Sequence, residues 1–350
     1  MLRVTQRRPI QQPRPAAPHG DPNHACTRTC PVHLGAGPGR HQWRSGRHLA
    51  DTWPSKPVTL LVPFPPGGST DMIARTLGTQ LQEKLGATFV VANHAGAGGT
   101  VGATAAKRAA PDGHTLFVSS LGPFVIGPHL VKGVADDPLK DFDCITVAVQ
   151  APNVLAVPAS SPHKSLADAL AYEKANPGRM RFASAGNGTS DHLTAELFWQ
   201  ETKTSGLHIR YKGGAPAMSD LPGGQVDASF MNITTGLSNI LAGKLRALAI
   251  PSAKRSPLLP DVPTMDEPGY KGVTVTSWQA FAAPKGLPSE IKTKLHDGRV
   301  AALNDPAVKP KLLELGFEIV GNTPEQFTAF QAAEFARWER VIEIGKITAD

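Results

Sequence analysis

Aromatic residues make up only 6% of this 350-residue chain, too few for the stacking platforms on which single-stranded nucleic acids lie. No apolar run approaches the ~20 residues that span a bilayer, so a membrane role has to come through a partner. Cysteine occurs three times, at Cys26, Cys30 and Cys144, and ties the body to neither redox compartment. Cys26 and Cys30 stand near His24 and His33, but the spacing matches no strong zinc pattern. Cys144 alone reads as a small buried apolar residue rather than a nucleophile. There is no G-x-x-x-x-G-K-[ST] phosphate loop, no G-x-S-x-G elbow, and no H-E-x-x-H or CxxC pattern. No metal and no cofactor is expected.

Basic charge is also short once it is located. The formal net charge is +7, but residues 1–52 hold eight Arg, no Lys and two Asp, a net of +6 that leaves +1 for the rest. A nearly neutral body gives no reason to expect a nucleic-acid partner. What is there, 41% hydrophobic and 19% charged residues, fits a water-soluble globular body large enough for two domains.

Residues 1–52 read as a disordered or mis-assigned leader rich in Arg, Pro, His and Gly. They have the basic start of a secretory signal, and Leu49–Asp51 can serve as its small-residue exit. The apolar stretch of ~7–15 residues between them is missing. The Arg7-Arg8 pair is no twin-arginine signal without it. The combination points to a wrong start site or a frameshift, which resequencing upstream decides.

From Trp53 onward, strand-like and helix-like segments alternate. "VTLLVP" at 58–63 reads as a buried strand. A helix follows from about Asp71 to Leu85, with Ile73, Leu77, Leu81 and Leu85 on one face and Gly86 as the stop. Further strands are expected at 88–93, 115–120, two around 144–158, and at 181–186, 208–211, 226–230 and 245–250. Residues 275–284 read as extended. Helices are expected after Gly96–Gly102, from Ser165, through Trp199, from Ser289 and from a capping box at Thr323 and Gln326. In the last, Phe327, Phe330, Trp338 and Val341 form a core-facing stripe. Such alternation implies mainly parallel sheets flanked by helices, in two lobes. Ligands then sit at the carboxyl ends of strands.

The turn "VPFPPGGSTD" at 62–71 has two glycines and three helix-capping residues but no Lys, Arg or His. Gly67 and Gly68 let backbone N–H groups approach a ligand, and the helix behind them favours an anion without a cation. The same residues also make an ordinary capped turn. "SAGNGTSDH" at 184–192 repeats the design, with His192 either a ligand contact or a structural histidine. In "YKGGAPAMSDL" at 211–221, Tyr211 can wall a pocket, while Lys212 is either a contact or a solvated charge. Asn232 and Ser119-Ser120 follow strand ends. "GAGG" at 96–99 suggests a dinucleotide loop, but the next strands end in Asn93 and in Ser119-Ser120, so no acidic ribose partner is offered.

Taken with "WPSKPVTLLVPFPPGGSTDMIAR", "NHAGAGGTVGA", "DPLKDF", "FASAGNGTSDHLTAELF", "YKGGAPAMSDLPGGQVDASF" and "AGKLRALAIPSAKRSPLLPDVPTMDEPGY", residues 53–350 resemble the Bug family. These are the TctC-type extracytoplasmic receptors of tripartite tricarboxylate transporters. The resemblance implies an α/β, two-lobed periplasmic-binding-protein-like fold, mainly parallel in each lobe, that closes on a small carboxylate. Lobe 1 would comprise 53–155 plus 283–350 and lobe 2 156–282, with hinge crossings near 154–158 and 276–284. It also implies no catalysis, a periplasmic location, and a membrane permease or a sensor as partner. Carried over, the ligand site comprises Phe64, Gly67, Gly68, Ser69, Thr70 and Asp71 in the first loop and Ser184, Gly188, Thr189 and His192 in the second. Ser119, Ser120, Asn153, Lys212, Gly213 and Asn232 would complete it. Met231 stands where the family commonly has Asp, which would remove a charge near the cleft. The rival reading is an α/β enzyme acting on a nucleotide or ester in the same cleft.

Overall fold

A computed structural model describes residues 53–130 and 137–348. The leader and the Cys26–Cys30 reading lie outside the described residues. The strands are β1 (Val58–Val62), β2 (Phe89–Asn93), β3 (Thr115–Ser120), β4 (Phe142–Pro158), β5 (Arg181–Ser184), β6 (Leu207–Arg210), β7 (Ala228–Asn232), β8 (Leu245–Ala249), β9 (Thr276–Pro284) and β10 (Glu318–Ile319). The helices are α1 (Ser69–Leu85), α2 (Thr100–Lys107), α3 (Gly127–Leu130), α4 (Pro138–Asp141), α5 (Leu166–Ala175), α6 (Ser190–Thr202), α7 (Gly214–Asp220), α8 (Ile233–Leu241), α9 (Ser289–Leu303), α10 (Lys309–Glu314) and α11 (Pro324–Gly345).

The strands divide between two sheets that share β4. The order β2-β1-β3-β9-β4-β10 makes the first, and β8-β4-β7-β5-β6 the second. Pairing is parallel at β2-β1-β3 and at β7-β5-β6, where strand–helix–strand units recur. It is antiparallel wherever β4 or β9 takes part. The two strands expected around 144–158 are one continuous 17-residue strand. It is apolar on both faces because it is covered in both sheets. Its first part, to Pro152, lies against β9, and from Asn153 it pairs with β7.

Local sequence accounts for most element ends. Helix α1 stops at Gly86, which is left-handed at φ 62° and returns its N–H to the Gln82 carbonyl. Ile73, Leu77 and Leu81 are fully buried. The capping box of α11 forms: Gln326 N–H donates to Thr323 Oγ1, and Thr323 N–H donates back to Gln326 Oε1. On the face of the first sheet under α11, Phe117, Phe124, Phe142, Trp278, Phe327 and Trp338 make an aromatic core, with Phe330 and Val341 packed on it. The second lobe has its own aromatic core of Phe182, Phe198, Trp199 and Phe230. Cys144 is buried, donates to Gln331 Oε1, and has its thiol pushed up to about 11 by that burial, a structural role. Among the described residues no helix is long and apolar enough to cross a membrane, and no group of metal-ligating side chains occurs.

Candidate functional site

Four strand-to-helix junctions meet between the lobes around a polar chamber of about 50 Å³, room for a few non-hydrogen atoms. The first loop brings Phe64, Pro65, Gly68, Ser69 and Thr70, and the second brings Ala185, Thr189, Ser190 and Asp191. Asn232 and Thr235 come from the start of α8, Gly214 opens α7, and Ser120 and Ser277 come from β3 and β9. Among these described residues there is no Lys, Arg or His.

The donors are of two kinds. Gly68 is the N-cap of α1 and has no side chain with which to cap it, so first-turn N–H groups that helical bonding leaves over face the chamber. At α8 the cap is Asn232, whose Oδ1 accepts from Thr234 N–H at 3.0 Å and from Thr234 Oγ1 at 2.7 Å. That fixes the amide plane and leaves Asn232 Nδ2 buried without a partner. Gln279 Nε2 reaches Ser277 Oγ at 3.2 Å and Ser69 Oγ at 3.4 Å, while its Oε1 is also unpartnered. Buried polar atoms are normally satisfied, so these mark a place for a ligand or water.

Other expected residues build the loops from behind. Asp71 accepts from Gly67 N–H at 2.9 Å, from the Arg75 fork at 2.9 and 3.0 Å, and from Asn93 Nδ2 at 2.9 Å. Burial works against its charge, but the bonds from Arg75, Gly67 and Asn93 outweigh it and hold the carboxyl below the usual range. Asn93 Nδ2 also donates to the Phe64 carbonyl, so the residue that spoke against a dinucleotide site anchors the first loop. Gly67, at φ 88°, lies in that loop but lines no cavity.

Behind the second loop, His192 Nδ1 accepts from Gly188 N–H at 3.2 Å, and its ring stacks on His208 at 4.2 Å. His208 Nε2 lies 2.6 Å from Ser184 Oγ, which also accepts from Gly186 N–H. Burial, then His192 and Arg210, push His208 down to about 3. These bonds hold the second loop, and His192 and Ser184 line neither cavity. Asn153 is fully buried and donates to Thr194 Oγ1 at 2.9 Å, while Ser190 Oγ lies 3.5 Å from its Oδ1. Ser119 alternates with Ser120 along β3, so its side chain points to the other face of the sheet. Met231, next to Asn232, likewise turns away: it is buried in the core against Gly236 and lines no cavity.

A larger cleft of about 550 Å³ adjoins the chamber, sharing Phe64, Pro65 and Ala185 with it. Its walls are the Gly96–Thr100 loop, Gly127 and Leu130 on one side, and Gly186–Gly188, Arg210, Tyr211 and Lys212 on the other. Lys212 and Gly188 thus belong to the outer cleft, whereas Gly213 seals it. Gly213 has φ 131°, and a Cβ there would lie 2.8 Å from Pro65 Cδ. Gly98 meets the Asn187 carbonyl in the same way, so the glycines read as a possible dinucleotide loop serve close approach between lobes.

The sequence reading did not single out Thr235, Ser277 or Arg210, and it reached Ser190 and Asp191 only as part of the Ser184–His192 loop. Ser277 and Gln279 left a signal: polar residues two apart in an otherwise apolar strand mark one face turned to something polar. Arg210 left none, because it becomes a wall residue only through the sheet order that puts β6 beside the first-lobe loops.

The chain is 40% identical to protein BugT of Bordetella pertussis over 294 residues, 84% of this chain and 90% of that protein. The structure of R. palustris Rpa4515 with adipate matches with a TM-score of 0.82 at 35% identity, over 85% of this chain and 99% of that one. That of the periplasmic binding protein BugD gives 0.81 at 36% identity, over 85% and 99%. The profile of the tripartite tricarboxylate transporter family receptors matches residues 73–346, and the chain belongs to that family.

Proposed function

We propose that this chain is a non-catalytic periplasmic receptor that holds the carboxylate of a small organic acid in the chamber and its body in the outer cleft. The observation that carries this reading is the chamber itself: a cation-free space ringed by helix N-termini and lined by Asn232, whose Nδ2 is buried without a partner. Such a site favours an anion through main-chain dipoles and neutral donors. A hydrogen bond to a charged group contributes about 1.5–3 kcal/mol, and four or five leave roughly the 8 kcal/mol of a micromolar complex after ordering costs. The acid bound to Rpa4515 is of this class.

In this reading the lobes hinge where β4 exchanges β9 for β7, at Pro152–Asn153, and where the chain enters β9 at Thr276. The closed form is handed to a membrane permease. The enzyme reading has little to stand on: Ser184 and His208 pair, but Ser184 is buried behind the loop and lines neither cavity.

A thermal-shift panel of mono-, di- and tricarboxylates tests the reading. A ligand at 100 times its Kd adds about 2.7 kcal/mol, a rise of about 4 °C for a body of this size. A panel in which no carboxylate raises the midpoint, or purified protein carrying nucleotide, would overturn it. Arg210 and Lys212 line the outer cleft and make no ion pair among the described residues. Adipate is therefore expected to bind at least tenfold tighter than hexanoate, and Arg210→Gln with Lys212→Gln to reduce that ratio severalfold. Calorimetry checks both.

A further inference from the structure

We propose that an organic anion entering the chamber brings one proton with it, and that Asp191 receives that proton. The inference rests on the receptor reading above. Asp191 is the second residue of α6, lies in the chamber wall, and is 7% exposed. Its Oδ2 accepts from Ala185 N–H at 3.0 Å and its Oδ1 from Ser190 Oγ at 3.2 Å. Both donors are neutral. Asp71, the acid in the first turn of α1, is by contrast neutralised by the Arg75 guanidinium at 2.9 Å.

No charged group on the surrounding elements offsets Asp191. On α1, Asp71 and Arg75 satisfy each other. On α6, His192 is turned to Gly188 and, at 3.6 Å, to Glu196. On β6, His208 faces Ser184 and His192, while Arg210 lines the outer cleft with Lys212. From β3, β4, β9 and α8 come Ser120, Asn153, Ser277, Gln279, Asn232 and Thr235, all neutral.

A ligand carboxylate here shares about 50 Å³ with the Asp191 carboxylate and no counter-cation. Two carboxylates in one such site drive the pKa of one of them strongly up. Protonation converts the repulsion into an O–H donor for the incoming anion. Burial already pushes the Asp191 carboxyl up to about 6 in the empty protein, so the proton is accessible near neutrality.

The sign follows from linkage. Above about pH 6 the empty site is mostly ionised and the occupied site protonated, so affinity should fall roughly tenfold for each further pH unit. Without ligand, the raised value means that the group's contribution to stability is complete below its unfolded value of 3.8 and lost as pH rises through about 6. Asp71, held low by its partners, is silent in that window.

The test is calorimetric titration of the whole chain with adipate, and with hexanoate as a second probe, in HEPES and in Tris at about pH 7.5. The dependence of the heat on buffer ionisation counts the protons. Close to one proton taken up per adipate is expected, falling to near zero in Asp191→Asn. Adipate binding without proton uptake by the unsubstituted protein overturns this inference and leaves the receptor reading standing. Uptake that persists in Asp191→Asn overturns the assignment to Asp191. Where neither acid binds, the panel carboxylate with the largest thermal shift takes their place under the same criteria, and if no carboxylate of the panel binds, both readings fall.

Discussion

Asn232→Asp should weaken adipate binding at least 100-fold without unfolding the protein. The Asn232 Nδ2 group is buried and unpartnered in the empty chamber, and a donor to a carboxylate there is worth about 1.5–3 kcal/mol. Aspartate removes the donor and adds a like charge. At about 4 Å and an effective dielectric near 20, that repulsion is of order 4 kcal/mol. Either effect alone approaches the roughly 2.7 kcal/mol of a 100-fold loss. Folding should survive because the other half of the side chain is a cap. Oδ1 accepts from Thr234 N–H and Oγ1, and aspartate caps as well as asparagine. Calorimetry with adipate reads the loss, and circular dichroism the fold. A loss of less than tenfold would mean that Nδ2 does not meet the ligand.

Gly122→Ala should cost about 10- to 100-fold in affinity through closure rather than contact. Gly122 follows β3 in the first lobe and takes no part in either cavity. A Cβ there would lie 2.8 Å from the Gly188 carbonyl in the second lobe. That neighbour is backbone and cannot rotate away, so the clash is relieved by opening the lobes. Affinity falls by the fraction of molecules still able to close. The expected signature is an unliganded melting midpoint close to that of the unsubstituted protein and a radius of gyration that no longer shrinks when adipate is added, read by small-angle scattering. Unchanged affinity would show that the Gly122–Gly188 approach is not needed for binding.

The loop from Phe64 to Asp71 shows how a site can be legible in kind but not in detail. Its glycines, hydroxyls and lack of cations announce a helix N-terminus built for close approach, and Gly68, Ser69 and Thr70 do reach the chamber. The same string cannot say that Asp71 turns back to Arg75 and Asn93. Arg75 is one helical turn away, but Asn93 arrives from another strand. His192 shows the same limit. Its neighbour His208 is 16 residues further on, in β6, and stacks on the ring that the Gly188 N–H bond holds to the loop.

Legible in the chain alone were the alternation of strands and helices, the apolar stripes, the capping box at Thr323, the glycine turns and the family. All are set by local periodicity, backbone freedom and short-range hydrogen bonding. Tertiary structure alone decided that β4 runs unbroken through both sheets, that Ser119 and Met231 face away from the cleft, and that Asp191 stands in the chamber without a cation. It also decided that Arg210 and Lys212 wall the outer cleft. The reason is physical: which face a strand residue presents, and which charges end up within reach of one another, depend on sheet order and lobe approach, contacts made between residues far apart in the chain.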